Sequence, residues 1–178
     1  MYQKHKRYLP RRMILISVNR LAFYKRNDLA VKAAAKLGLK YWIIGEGEEK
    51  EKLKSNNVIL FGNLPHTEVL EKYKHADIFC LPSEVEGFGI ATLEAMSAGL
   101  PFVNSDIPVH QEIEKASHAG LLFKSGDYHD LADKLEILIK DKKLYSKLSN
   151  NALFFAKKYS VDRMDRETEK IYENLLSH

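Results

Sequence analysis

The sequence predicts a doubly wound α/β domain, a parallel sheet covered by helices on both faces, with extra helices at its C-terminal end. Three observations carry that expectation. From residue 13 onward, short apolar runs alternate with longer segments of helical periodicity. The apolar runs do not alternate with polar residues, which suits strands buried on both faces. After the last such run only helical pattern remains, so the final helices have no strand left to alternate with. Repeated strand–helix order implies right-handed crossovers.

The first strand is expected at 13–18 (MILISV). A helix follows over 28–37, where Leu29, Ala33 and Leu37 fall on one stripe and Gly38 supplies the stop. Further strands are expected at 41–44 (YWII), 58–61 (VILF), 77–81 (DIFCL), 101–104 (PFVN) and 120–123 (GLLF). Helical stretches near 48–55, 66–75, 90–98, 108–117 and 127–140 separate them. From Lys142 the helical signal is almost continuous, broken near Tyr159 and Ser160. Ser160 is placed to cap a last helix carrying Met164, Ile171, Leu175 and Leu176. These helices must pack across the domain edge or against something outside this chain.

Composition sets the class. At 178 residues there is room for one domain with a proper core, and 45 % apolar with 29 % charged residues is ordinary for a globular protein. No apolar run is long enough to span a bilayer and no signal segment opens the chain, which reads as cytoplasmic. The single cysteine, Cys80, lies in an apolar run and is expected in the core. The net charge of +4 is uneven, because Lys4, Lys6, Arg7, Arg11 and Arg12 crowd the first dozen residues. Residues 1–12 therefore read as a basic linker or tail, and 13–178 as the domain. Attraction of that stretch to anionic lipid headgroups, a peripheral membrane contact, is the other reading. No aromatic or basic stripe continues into the folded part, which disfavours nucleic acid.

In an open parallel sheet, ligands bind at the carboxyl ends of the strands. The loop after the first strand holds Arg20 and Lys25 beside the start of the next helix, where cations and free amides suit a diphosphate. Surface solvation is the plainer reading of those two residues. The turns Gly45-Glu46-Gly47 and Gly62-Asn63-Leu64-Pro65 are explained as turns alone. The fourth loop is more informative. Glu86 precedes a helix expected to begin near Ile90, Gly87 and Gly89 expose the intervening amides, and Glu94 lies one turn inside that helix. Two carboxylates near a helix N-terminus are favoured by its dipole. They are also well placed to accept sugar hydroxyls on either side of a bound phosphate.

Glu86 to Glu94 forms E-x7-E within EGFGIATLEAMSAGLP, which resembles the signature of the group 1 (family 4) glycosyltransferases of the GT-B fold. SVNRLAFYK resembles the family's Arg-to-Lys loop, IIGEGEE its glycine turn, and NVILFGNL and ADIFCLPSEVE its following strand segments. SDIPVHQEI and the terminal helix from Tyr159 to Tyr172 also fit. The resemblance implies a Rossmann-like half of a GT-B enzyme, its C-terminal donor-binding domain, with a UDP- or GDP-sugar as donor substrate. It further implies transfer of a hexose with retention to a glycan, lipid or other acceptor, without metal or cofactor.

Carried over residue by residue, Arg20 and Lys25 would neutralise the diphosphate and Glu86 would hold hydroxyls of the transferred sugar, making these three the catalytic set. Glu94 would accept from the ribose. Gly87, Phe88, Gly89, Ile90 and Ala91 would lie against the phosphates and sugar, while Asn63 and Leu64 would border the base. Asn19 and Arg26 stand where the family has glycines, and Ser97 where alanine is common. The resemblance covers only the second GT-B domain. An N-terminal half, in the same polypeptide or in a partner chain, would supply the acceptor site, so the isolated chain is expected to be inactive. No D-x-D element is present, and the seven histidines lack ligand spacing. The rival readings are a non-catalytic nucleotide-sugar-binding subunit, a GT-B phosphorylase or epimerase, and a flavodoxin-like signalling domain. The last would need acidic residues where Arg20 and Lys25 stand.

Overall fold

The computed structural model describes residues 13–158; the basic stretch 1–12 and the expected last helix beyond Ser160 lie outside the described residues. Six strands form one parallel sheet: β1 (Ile14–Val18), β2 (Lys40–Ile44), β3 (Val58–Leu60), β4 (Ile78–Leu81), β5 (Phe102–Ser105) and β6 (Gly120–Phe123). Their order is β3-β2-β1-β4-β5-β6, with every pair parallel. Each strand falls within one residue of its expected bounds. The helices are α1 (Asn27–Leu37), α2 (His66–His75), α3 (Ile90–Ser97), α4 (Pro108–Ser117), α5 (Tyr128–Lys140) and α6 (Lys142–Lys158).

Strand pleating separates two cores. Leu15, Ile43, Cys80 and Val103 point to one face and meet Leu29 and Ala33 of α1 with Leu131 and Leu135 of α5. Ile16, Phe79, Leu81 and Phe102 point to the other, against Val69 and Tyr73 of α2 and Ala95 and Met96 of α3. Each side chain of this size that is fully buried contributes about 1.5–3 kcal/mol. Local signals end the helices as the sequence implies. Gly38 closes α1 in the left-handed region at φ 66°, and the Asp127 carboxylate accepts from the amides of His129 and Asp130 to open α5.

The stretch 48–55 departs from expectation. Instead of a helix it holds one 3-10 turn, Lys50–Leu53. Leu53 is its single buried residue, and one apolar anchor among exposed Glu and Lys gives no stripe to pack.

The helix α6 crosses the domain edge, as anticipated. Tyr145 Oη donates to Asp77 O (2.8 Å), Ser149 Oγ to Gly99 O (2.6 Å) and Asn151 Nδ2 to His118 O (2.6 Å). Those carbonyls precede β4, β5 and β6, so α6 runs beneath the amino-terminal edge of the sheet. Leu148 joins one core while Ala152 and Phe155 join the other. The carboxyl edge is left open. No described helix is long and apolar enough to cross a membrane.

Candidate functional site

Strand order reverses between β1 and β4, and the helices that follow them lie on opposite faces. Their outgoing loops therefore diverge and open a crevice at the carboxyl ends. Two clefts adjoin there. One, of about 360 Å³, lies between the β1 and β4 loops and is walled by Arg20, Lys25, Glu86, Phe88, Gly89, Ile90 and Ala91. The other, of about 400 Å³, lies toward β2 and β3 and is walled by Gly45, Glu46, Asn63 and Leu64. Val18, Asn19 and Arg20 line both. The residues expected to meet sugar and base thus fall in separate clefts, with Arg20 between them.

The two cations differ. The Arg20 side chain is 70 % exposed and only 3.7 Å from the Glu48 carboxylate. Lys25 is 12 % exposed, and its Nζ donates to Glu86 Oε1 at 2.8 Å, the Glu86 side chain being 11 % exposed. Ser83 Oγ donates to the same oxygen at 2.6 Å. Both donors converge on Oε1, leaving Oε2 without a partner among the described residues. The β1 and β4 loops are laced further by Glu84 N–H donating to Tyr24 O at 2.8 Å and by the Arg26–Glu84 ion pair.

The two departures from glycine have structural accounts. Arg26 sits in the left-handed region at φ 48°, which glycine enters freely and other residues enter at a cost of about 1–2 kcal/mol. Its guanidinium pairs with Asp28 at 3.1 Å as well as with Glu84, offsetting part of that cost. Asn19 exchanges two hydrogen bonds with Asn27 (2.8 and 3.2 Å). Asn27 accepts from Tyr41 Oη at 3.0 Å, and Tyr41 Oη lies 2.7 Å from Ser17 Oγ. A buried polar chain therefore holds the loop after β1 from below. Gly45 and Gly47 serve the same loop. A Cβ at Gly45 would lie 1.9 Å from Asn19 O, and one at Gly47 would lie 2.3 Å from Leu21 O. Backbone approach, not ligand contact, requires both glycines.

Gly89 stands at the N-cap of helix α3, in the left-handed region at φ 71°, and no side chain caps the helix. Its first residues, Ile90 and Ala91, stand on the wall of the first cleft, where free amides and the helix dipole favour an anion. Space around Gly87 is open, with nothing within 4 Å of where a Cβ would stand. Glu94 lines neither cleft. Its Oε1 lies 2.9 Å from His66 Nε2, at the start of α2, and Tyr73 Oη donates to Oε2 at 3.5 Å. Burial, and then the neighbouring Glu94 charge, raise the Tyr73 phenol pKa.

Ser83, His66 and His110 escaped the sequence reading. Ser83 lay inside a matched motif, but its hydroxyl had no visible target until the loop was folded. Cys80 is buried as expected, and burial pushes its thiol pKa up, so it is inert. Among the described residues no three His, Cys, Asp or Glu side chains gather as a metal site would need.

The family model of group 1 glycosyl transferases matches residues 3–153. The chain belongs to the group 1 glycosyltransferases. It is 31 % identical over 170 residues to an uncharacterized glycosyltransferase of Haemophilus influenzae, covering 88 % of this chain and 48 % of that protein. A sulfoquinovosyl transferase of Arabidopsis thaliana is 34 % identical over 141 residues, covering 75 % of this chain and 28 % of that protein. This glycosyltransferase chain thus spans about half the length of such relatives or less. The Anabaena protein HepE, solved in complex with UDP-glucose, superposes with a TM-score of 0.81 at 21 % identity, over 94 % of this chain and 49 % of that one. Such likeness shows the fold, which is the Rossmann-like half of a GT-B glycosyltransferase.

Proposed function

We propose that this chain is the donor-binding half of a retaining, metal-independent glycosyltransferase that moves a hexose from a UDP- or GDP-sugar to a glycan, lipid or other acceptor. The observation that carries the reading is the pair of clefts joined at Arg20 on the switch point of the sheet. The base would lie by Asn63 and Leu64, the diphosphate by Arg20, Lys25 and the first amides of α3, and the sugar against Glu86. Glu94 would accept from the ribose after releasing His66. As the bond from C1 to the diphosphate oxygen breaks, charge gathers on the leaving group where cations and amides already stand. The acceptor oxygen bonds to C1 on the same face, and its proton passes to the departing diphosphate.

A second half completes the enzyme in this reading. The loops walling the first cleft expose Phe23, Val85, Phe88 and Ile90, apolar surface of the kind another domain covers. Contact of residues 1–12 with anionic headgroups would rest on their cluster of cations.

Thermal melts across a nucleotide panel test the donor site. At a hundred times its dissociation constant the matching UDP- or GDP-sugar adds about 2.7 kcal/mol of stability, while NAD and ATP add none. A flat panel removes the donor-site reading.

A further inference from the structure

We propose that His110 is a positioning residue for the Glu86 carboxylate, acting through Ser105 and Ser83. The proposal rests on the reading of Glu86 as the acceptor of sugar hydroxyls. His110 is the third residue of α4 and fully buried. Its Nδ1 lies 2.9 Å from the Ser105 carbonyl oxygen and 3.2 Å from Ser105 Oγ. A carbonyl only accepts, so Nδ1 carries the ring proton. Ser105 Oγ in turn donates to the Ser83 carbonyl, and Ser83 Oγ donates to Glu86 Oε1. The imidazole thus fixes Ser105, Ser105 fixes the Ser83 backbone, and the Ser83 hydroxyl holds the carboxylate.

Two features favour this relay over simple packing. The Nε2 atom of His110 is buried with no hydrogen-bond partner, a cost that an apolar ring of similar size would avoid. Burial also lowers the His110 pKa, opposed in part by the hydrogen bond to the Ser105 carbonyl and by the Glu86 charge, which favours the neutral ring that donates from Nδ1. Glu86 has two holders, Lys25 and Ser83. When a diphosphate draws the Lys25 ammonium, Ser83 alone keeps the carboxylate oriented. The relay therefore matters for the sugar and little for the nucleotide.

Calorimetric titration of the full chain with UDP and UDP-glucose, and with GDP and GDP-mannose, identifies the tighter pair for the variants. An Asn amide stands where Nδ1–H does, whereas a Gln amide reaches the place of Nε2. His110→Asn should keep the preference for nucleotide-sugar over free diphosphate. His110→Gln and His110→Phe should lose about tenfold of it, with diphosphate affinity nearly unchanged. Melting curves confirm that each variant is folded, and should Phe fail to fold, the Asn and Gln pair decides alone. Glu86→Gln serves as reference. If it abolishes the preference while Asn and Gln behave alike, the relay is wrong and the Glu86 reading stands. If Glu86→Gln keeps the preference, the Glu86 reading fails and the relay with it.

Discussion

Arg20 and Lys25 carry the same charge in different surroundings, and their substitutions should differ accordingly. Arg20→Ala removes an exposed side chain, so stability should change by less than about 0.5 kcal/mol. Nucleotide affinity should fall about ten- to a hundredfold, since a hydrogen bond to a charged group is worth roughly 1.5–3 kcal/mol. Lys25→Met should weaken the nucleotide and also lower the melting temperature, because it leaves Glu86 enclosed without its cation. Equal stability of the two variants would contradict this distinction. The spacing of Arg20 and Lys25 was legible in the sequence, but their inequality was not. It arises from Glu86, sixty-one residues after Lys25. A pH effect follows from His110. Burial lowers its folded pKa below the ordinary value near 6.5, so the unfolded chain binds the proton first as pH falls. His110 therefore favours folding fully above about pH 6.5, and its contribution is lost as pH falls toward the folded value. Replacing it with Asn should flatten the acid limb of stability against pH, and an unchanged limb would contradict the assignment.

Among the elements, strands were more legible than the links between them. Runs such as YWII and GLLF can only be strands or buried helix turns, and their length decides for strand. The stretch 48–55 misled because Glu and Lys have good helix propensity, yet propensity without an apolar stripe does not hold a helix on a domain. The first turn of α1 offers a test of local strain. Arg26→Gly relieves about 1–2 kcal/mol of left-handed strain and loses two part-exposed ion pairs worth about 0.2–1 kcal/mol each. Arg26→Ala loses the pairs and keeps the strain. The Gly variant should melt higher than the Ala variant, and the reverse order would show that strain at this position is negligible. At the opposite edge, Phe155→Ala in α6 should cost about 3–5 kcal/mol if its site does not collapse, with nucleotide affinity of the folded fraction unchanged.

For the whole molecule, the two edges of the sheet divide the labour. The amino-terminal edge is closed by α6, while the carboxyl edge carries both clefts. That Arg20, Lys25, Glu86 and Gly89 would share one cleft was legible because their spacing repeats a family motif, whereas Glu94, from the same motif, lines neither cleft. Their support by Ser83, His66 and Asn19 was not, since each contact joins residues distant in the chain or depends on a loop's fold. The isolated chain should show no sugar transfer with divalent metal or with chelator, because in the proposed function a second domain supplies the acceptor site. Robust turnover would contradict that division.

The most direct test of the donor site is calorimetric titration of Glu86→Gln and Glu94→Gln with a nucleotide-sugar and its free diphosphate. Glu94→Gln should weaken both ligands by similar factors of about ten to a hundred. Glu86→Gln should leave the free diphosphate nearly unchanged and erase only the extra affinity of the sugar. Equal losses from both substitutions for both ligands would contradict the placement of sugar at Glu86 and ribose at Glu94.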